Sequence, residues 1–126
     1  MISTEVKIDG SKTLPAITFS NGKLNIIGRS IPHINTKEWF EPLLQAMYAY
    51  SLEPKEITEI DLYLDYINSD SNRALMSLLI IAEKLYNRGK QVLVRWHYKN
   101  NDEGMYDQGN IFKSLIEVPF SFEPVD

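Results

Sequence analysis

The sequence predicts a single α/β domain spanning residues 1–126. Its mixed β-sheet opens with an N-terminal hairpin and continues through a βαβ unit, with helices packed on the sheet. Three observations carry that expectation. An Asn-Gly pair separates two short apolar runs near the start. Apolar spacing then switches from alternation to a helical period and back again between residues 60 and 98. The chain, at 126 residues, has the length of one domain, able to bury a core without crosslinks.

The elements follow in order. Residues 1–12 are mixed and polar and read as a loose N-terminus. Leu14–Phe19 and Leu24–Ile27 are apolar, with Ser20-Asn21-Gly22-Lys23 between them. Asn and Gly both tolerate positive φ, so this pattern predicts an antiparallel hairpin. Residues 28–35 read as a loop. Asn35 with Glu38 three residues on resembles a capping box, and Trp39, Phe40, Leu43, Leu44, Met47 and Tyr50 follow at helical spacing. Pro42 falls early, either in the first turn or ahead of a later start. Ile60, Leu62, Leu64 and Tyr66 alternate with Asp61, Tyr63 and Asp65, which predicts a strand with one apolar and one mixed face.

Next comes the polar break Asn68-Ser69-Asp70-Ser71. Leu75, Leu78, Leu79, Ala82, Leu85 and Tyr86 then form a helical stripe, ended by Asn87-Arg88-Gly89 with Gly89 at C′. Val92, Val94, Trp96 and Tyr98 alternate as the next strand, parallel to the preceding one through a right-handed crossover. Residues 99–104 read as a polar loop. Met105–Leu115 is a weak helix, since Gly104 and Gly109 disfavour it. Ile116, Val118, Phe120 and Phe122 close the chain as a strand, placed at a sheet edge by Pro119.

Composition narrows the chemistry. A net charge of −4 argues against general affinity for nucleic acid or anionic lipid. The absence of cysteine removes disulfides, thiol nucleophiles and thiolate metal sites. The start lacks a signal-peptide pattern, and the longest apolar run, Leu78–Ala82, is too short to span a bilayer. A cytoplasmic protein without membrane insertion is expected. His33 and His97 have no paired ligand spacing, so no metal is expected. The phosphate-loop, dinucleotide and nucleophile-elbow motifs are lacking, so no cofactor and no catalytic residue are assigned. Asp61 and Asp65 face one side of a strand and read as a strand face rather than a catalytic pair. Arg29 and Arg95 are candidates for partner contact, since Arg is enriched at interface hot spots. The break at residues 68–71 sits at a helix N-terminus, where capping residues are usual and where added negative charge is stabilised.

Five segments, taken in order, resemble one family. They are Leu14-Pro15-Ala16-Ile17 before the Asn-Gly turn, Gly28-Arg29-Ser30-Ile31-Pro32, Tyr66-Ile67-Asn68-Ser69-Asp70-Ser71, Trp96-His97-Tyr98 with Asp102-Glu103-Gly104-Met105, and Val118-Pro119-Phe120. Together they resemble the SiaC family of bacterial regulatory phosphoproteins. The resemblance implies a fold like STAS domains and anti-sigma-factor antagonists, and no catalytic activity. It implies binding to a partner protein, a diguanylate cyclase in the best-understood systems, with control of cyclic-di-GMP output. It also implies phosphorylation by a cognate Ser/Thr kinase and reversal by a PP2C-type phosphatase. By position the phosphoacceptor is Ser69, with Ser71 second. Partner contacts are expected at Arg29, Ser30, Asn68, Asp70 and Arg95. The chain departs from the family pattern in Ser69 for Thr, Asp70 for Ser, Ile31 for Tyr, and His33 for an acid. Two alternatives are a constitutive interaction scaffold and a small-ligand domain using Asp61, Asp65, Arg95 and His97.

Overall fold

A computed structural model describes residues 4–30 and 36–126, with side chains up to Arg29 and again from Phe40 onward. The expected loop residues Ile31, Pro32 and His33, and the Asn35 cap, lie outside the described residues. Six strands form one sheet in the sequential order β1-β2-β3-β4-β5-β6. They are β1 (Val6–Ile8), β2 (Ala16–Ser20), β3 (Lys23–Ser30), β4 (Ile57–Ile67), β5 (Gln91–Lys99) and β6 (Phe120–Val125). Helices α1 (Thr36–Leu52), α2 (Ser69–Asn87) and α3 (Glu103–Leu115) connect β3 to β4, β4 to β5 and β5 to β6. β1–β3 are antiparallel to one another, and β3–β6 are parallel. Each crossover steps to the next strand in the same direction, so a single handedness puts all three helices on one face. The expected α/β domain with a mixed sheet is therefore observed, as two layers.

The hairpin turn is the one that Asn-Gly dictates. Asn21 and Gly22 have φ of 52° and 77°, and Ser20 pairs with Lys23. Positive φ at both central residues gives a turn whose twist matches that of the strands. The core lies between sheet and helices. Ile17, Phe19, Leu24, Ile26, Ile60, Leu62, Val94 and Trp96 meet Leu43, Met47, Leu75, Leu78, Leu79 and Leu85, each 1% exposed or less. Buried polar groups are matched within it: the Tyr50 hydroxyl lies 2.8 Å from Thr58 Oγ1 and accepts from the Lys55 N–H at 3.1 Å.

Several boundaries differ from expectation. The segment expected to be loose contains β1, which pairs with β2 through Val6–Phe19 and Ile8–Ile17. Three residues with only Val6 and Ile8 turned inward are too few to show periodicity. β3 continues to Ser30, into the expected loop, because β4 offers it a parallel partner. α1 starts at Thr36 with Pro42 inside it. Pro42 is exposed, and burial of Phe40, Leu43 and Met47 holds the helix despite the missing donor. β6 starts at Phe120, after Pro119 rather than around it. Its edge position is observed, and the proline within it is Pro124. Gly109 costs α3 helix propensity, but packing requires it. A Cβ there would lie 2.7 Å from Trp96 Nε1 and from Phe122 Cε1, so only glycine lets the helix approach the Trp96 ring. That ring donates to the Met105 carbonyl at 2.8 Å.

Candidate functional site

The C-terminal ends of the parallel strands converge on the first turn of α2. β4 ends at Ile67, and Asn68 takes extended backbone (φ −90°, ψ 179°) with its side chain accepting from the Ser71 N–H at 2.9 Å. Asn68 is thus the N-cap, within the break where the sequence predicts a helix N-terminus. Ser69, the first helical residue, is exposed. Asp70 is exposed and pairs with Arg73 at 3.0 Å, one turn on. Ser71 is fully buried. The first- and second-ranked hydroxyls therefore occupy opposite environments.

A backbone irregularity brings a cation to the same end. Gly28 pairs with Leu64 but Arg29 pairs with Tyr66, so the register skips Asp65. Gly28 supports the shift with φ of 128° while packing on Pro15. Arg29 Nε then lies 3.7 Å from Asp65 Oδ1, both side chains about half exposed. Tyr66, expected on the apolar face, is 51% exposed beyond the shift. Ser30 pairs with Ile67 directly before the cap. From the other side Gln108 Nε2 donates to Asn72 Oδ1 at 2.8 Å, tying α3 to the start of α2. Arg29, Ser30, Asn68, Ser69 and Asp70 thus belong to one end of the sheet.

Arg95 does not join them. It lies on the helix-free face, where its guanidinium donates to Glu59 at 2.7 Å and to Asp61 at 3.0 Å. The Glu59 hydrogen bond is the main cause of the raised Arg95 pKa, and the Asp61 and Glu59 charges add to it against the cost of burial. His97 Nε2 lies 2.8 Å from the other Asp61 oxygen, and the His97 ring stacks on Tyr63 at 3.8 Å and 12°. These contacts explain how Asp61 is only 4% exposed on a face without helices: its oxygens are occupied and the stacked rings flank it. Arg95 is thereby a structural cation with two internal partners. Glu59, Tyr63 and Arg73 were not singled out from sequence. The Asp70–Arg73 spacing of three was a visible signal for Arg73. Glu59 and Tyr63 needed the parallel register of β4 and β5, which alternation alone does not give. Among the described residues no three His, Asp or Glu side chains converge as metal ligands, and no helix is long and apolar enough to cross a membrane.

The model of the SiaC family regulatory phosphoproteins matches residues 8–125. The chain belongs to this family. A curated relative, an uncharacterised protein of Pseudomonas aeruginosa (strain UCBPP-PA14), is 28% identical over 125 residues, 98% of each chain. Apo-SiaC from Pseudomonas aeruginosa superposes with a TM-score of 0.86 at 27% identity, over 94% of this chain and 98% of that one. SiaC of the same organism in complex with the diguanylate cyclase SiaD, which it activates, gives 0.88 at 27% identity, over 95% and 99%. The STAS-like expectation agrees with this fold, and the SiaC family member described here is a regulator, not a catalyst.

Proposed function

We propose that this SiaC family protein binds and activates a diguanylate cyclase in the cytoplasm, and that reversible phosphorylation of Ser69 controls the interaction. A Ser/Thr kinase would add the phosphate and a PP2C-type phosphatase remove it, so that the unmodified form raises cyclic-di-GMP output. The observation that carries this reading is the environment of Ser69: an exposed hydroxyl at the first position of α2, in a chain similar to SiaC as seen bound to SiaD. Ser69 does not supply the cap, since Asn68 does. Its hydroxyl can therefore change chemistry without unmaking the helix.

The physics of the switch is local. A phosphate adds about 1.5 to 2 negative charges and three strong acceptors. Free N–H groups and the helix dipole stabilise it within the chain. A partner surface that buries the neutral hydroxyl must instead bury an unpaired charge, which costs several kcal/mol. Asp70 adds a fixed negative charge beside the site, partly offset by the exposed Arg73 at 3.0 Å. That pairing favours a switchable Ser69 over a constitutive scaffold in which Asp70 has replaced the switch. The helix-free face with Asp61, Asp65, Arg95 and His97 gives less support to a ligand-binding reading, because the charges there are already matched to one another.

The test is cyclase activation by purified Ser69→Ala and Ser69→Glu variants. Ser69→Ala should capture and activate the cyclase as the native chain does, and Ser69→Glu should capture it at least tenfold less. Equal capture by the two variants refutes the switch. Intact-mass measurement of protein from its host, with and without phosphatase treatment, reports whether the modification occurs.

A further inference from the structure

Among the described residues no element covers the sheet face opposite the helices. That is unusual for its parallel part, since parallel strands occur almost only in sheets covered on both faces. The registers fix what this face displays, because cross-strand pairs share a face. One row runs Lys7, Thr18, Asn25, Asp61, Arg95, Ser121. The next runs Ala16, Ile27, Tyr63, His97, Glu123. At the centre, on the β3–β4 seam, Ile27 is 51% and Tyr63 36% exposed.

The charges divide at that seam. Strands β1–β3 carry Lys7, Lys23 and Arg29 and no acid within their bounds, while Glu5 and Asp9 flank β1. Strands β4–β6 carry Glu59, Asp61, Asp65 and Glu123 against Arg95 and Lys99, a balance of four acids and two bases. Arg29 and Asp65 pair across the seam and Arg95 holds Glu59 and Asp61, so the face is apolar in the middle, with a net basic excess from Lys7 and Lys23 on one wing and a net acidic excess on the other.

We propose that this face pairs with the same face of a second copy of the chain, in a two-fold dimer whose axis runs along the strands. Only that axis is electrostatically sound. It lays β1–β3 of each copy over β4–β6 of the other, so that basic wings meet acidic wings. An axis across the strands would lay basic on basic and acidic on acidic. With the first arrangement Ile27 faces Tyr63 of the second copy, and Lys23 faces Glu59. The exposed Arg29–Asp65 pair meets its own equivalent as a ring of alternating charges. An apolar centre within a charged rim is the usual anatomy of an interface, and a self-complementary patch is what a two-fold requires. The size also suffices. Six strands at ~4.8 Å spacing, with central strands of 8, 11 and 9 residues, give a face on the order of 25 Å by 30 Å. A standard interface takes about 800 Å² per partner.

Sedimentation velocity on the full chain, over roughly a hundredfold range of concentration, tests the pairing. The expected result is a reversible species of twice the 14.6 kDa chain mass that weakens with added salt. Ile27→Glu, at the centre, should raise the dimer dissociation constant by about a hundredfold or more. Lys7→Glu, on the exposed edge strand, should raise it about tenfold, since by symmetry each substitution counts twice. Adding Glu123→Lys to Lys7→Glu should restore it, which reads out the axis direction. Circular dichroism checks that each variant is folded, and should Ile27→Glu fail to fold, the Lys7 and Glu123 variants carry the test. A monomer throughout overturns the proposal and leaves the face to some other protein. A dimer indifferent to both Ile27→Glu and Lys7→Glu overturns it equally.

Discussion

Replacing Ser69 and Ser71 in turn by a carboxylate should produce opposite results from residues two positions apart. At Ser69 the added charge is exposed at the first helical position. Its interaction with the helix dipole contributes about 0.3–1 kcal/mol. Arg73, four residues on, contributes roughly 0.3–0.5 kcal/mol more when it turns from Asp70. Repulsion from Asp70 offsets a similar amount, being screened by solvent. The cap is untouched, since the Ser71 N–H bonds to Asn68 at 2.9 Å. Ser69→Glu should therefore change stability by less than about 1 kcal/mol, or a few degrees in Tm. Ser71 is 0% exposed, and an ionised carboxylate in its place costs several kcal/mol after relaxation. Ser71→Asp should lose about 3–5 kcal/mol, a large part of a total stability of roughly 5–15 kcal/mol. Urea denaturation followed by tryptophan fluorescence measures both. A loss above about 2 kcal/mol for Ser69→Glu, or a native-like Ser71→Asp, would refute the reasoning about these environments. The same pair bears on the proposed phosphorylation: a kinase would meet the exposed Ser69 hydroxyl on the folded protein but would reach the buried Ser71 only when α2 opens.

Two further outcomes follow from the geometry. Gly109→Ala places a Cβ 2.7 Å from the Trp96 and Phe122 rings. Overpacking of about 1–3 kcal/mol should outweigh the ~1 kcal/mol gained in helix propensity, and near-ultraviolet circular dichroism should show the Trp96 environment altered. Asp61→Ala removes the acceptor shared by Arg95 and His97. Because Glu59 keeps Arg95 paired, the loss in a urea melt should stay near 1–3 kcal/mol rather than the ~3–5 kcal/mol of a wholly orphaned buried charge.

The parts of the fold legible in the sequence are those set by local geometry. Asn21-Gly22 needs no tertiary partner to specify its turn, and the stripe from Leu75 to Leu85 carries its own period. Asn68 and Gly89 mark the two ends of α2 by side-chain and backbone chemistry that is local as well. What stayed hidden depends on neighbours. β1 exists because β2 offers an edge. The shift between Gly28 and Arg29, which exposes Tyr66, depends on how β3 meets β4. Gly109 looks like a helix breaker until the Trp96 ring is seen against it.

The candidate site divides in the same way. The residues on contiguous stretches, Arg29-Ser30 and Asn68-Ser69-Asp70, arrive together because parallel strands end at a common edge. Arg95 comes from a third strand at a different height. By residue type it is a candidate for partner contact, and its internal partners Glu59 and Asp61 hold it away from that edge. Asp61 pairs with Arg95 and His97 on the helix-free face, while Ser69 stands at the end of the sheet on a helix capped by another residue. Two surfaces follow from one sheet: a face whose wings carry opposite charge, suited to a second copy, and an edge where a single added phosphate changes the field. Phosphorylation at the edge should then leave any pairing through the face nearly unaltered. Sedimentation of Ser69→Glu beside the native chain reads this directly, and a dissociation constant changed by tenfold or more would show that edge and face are one surface rather than two.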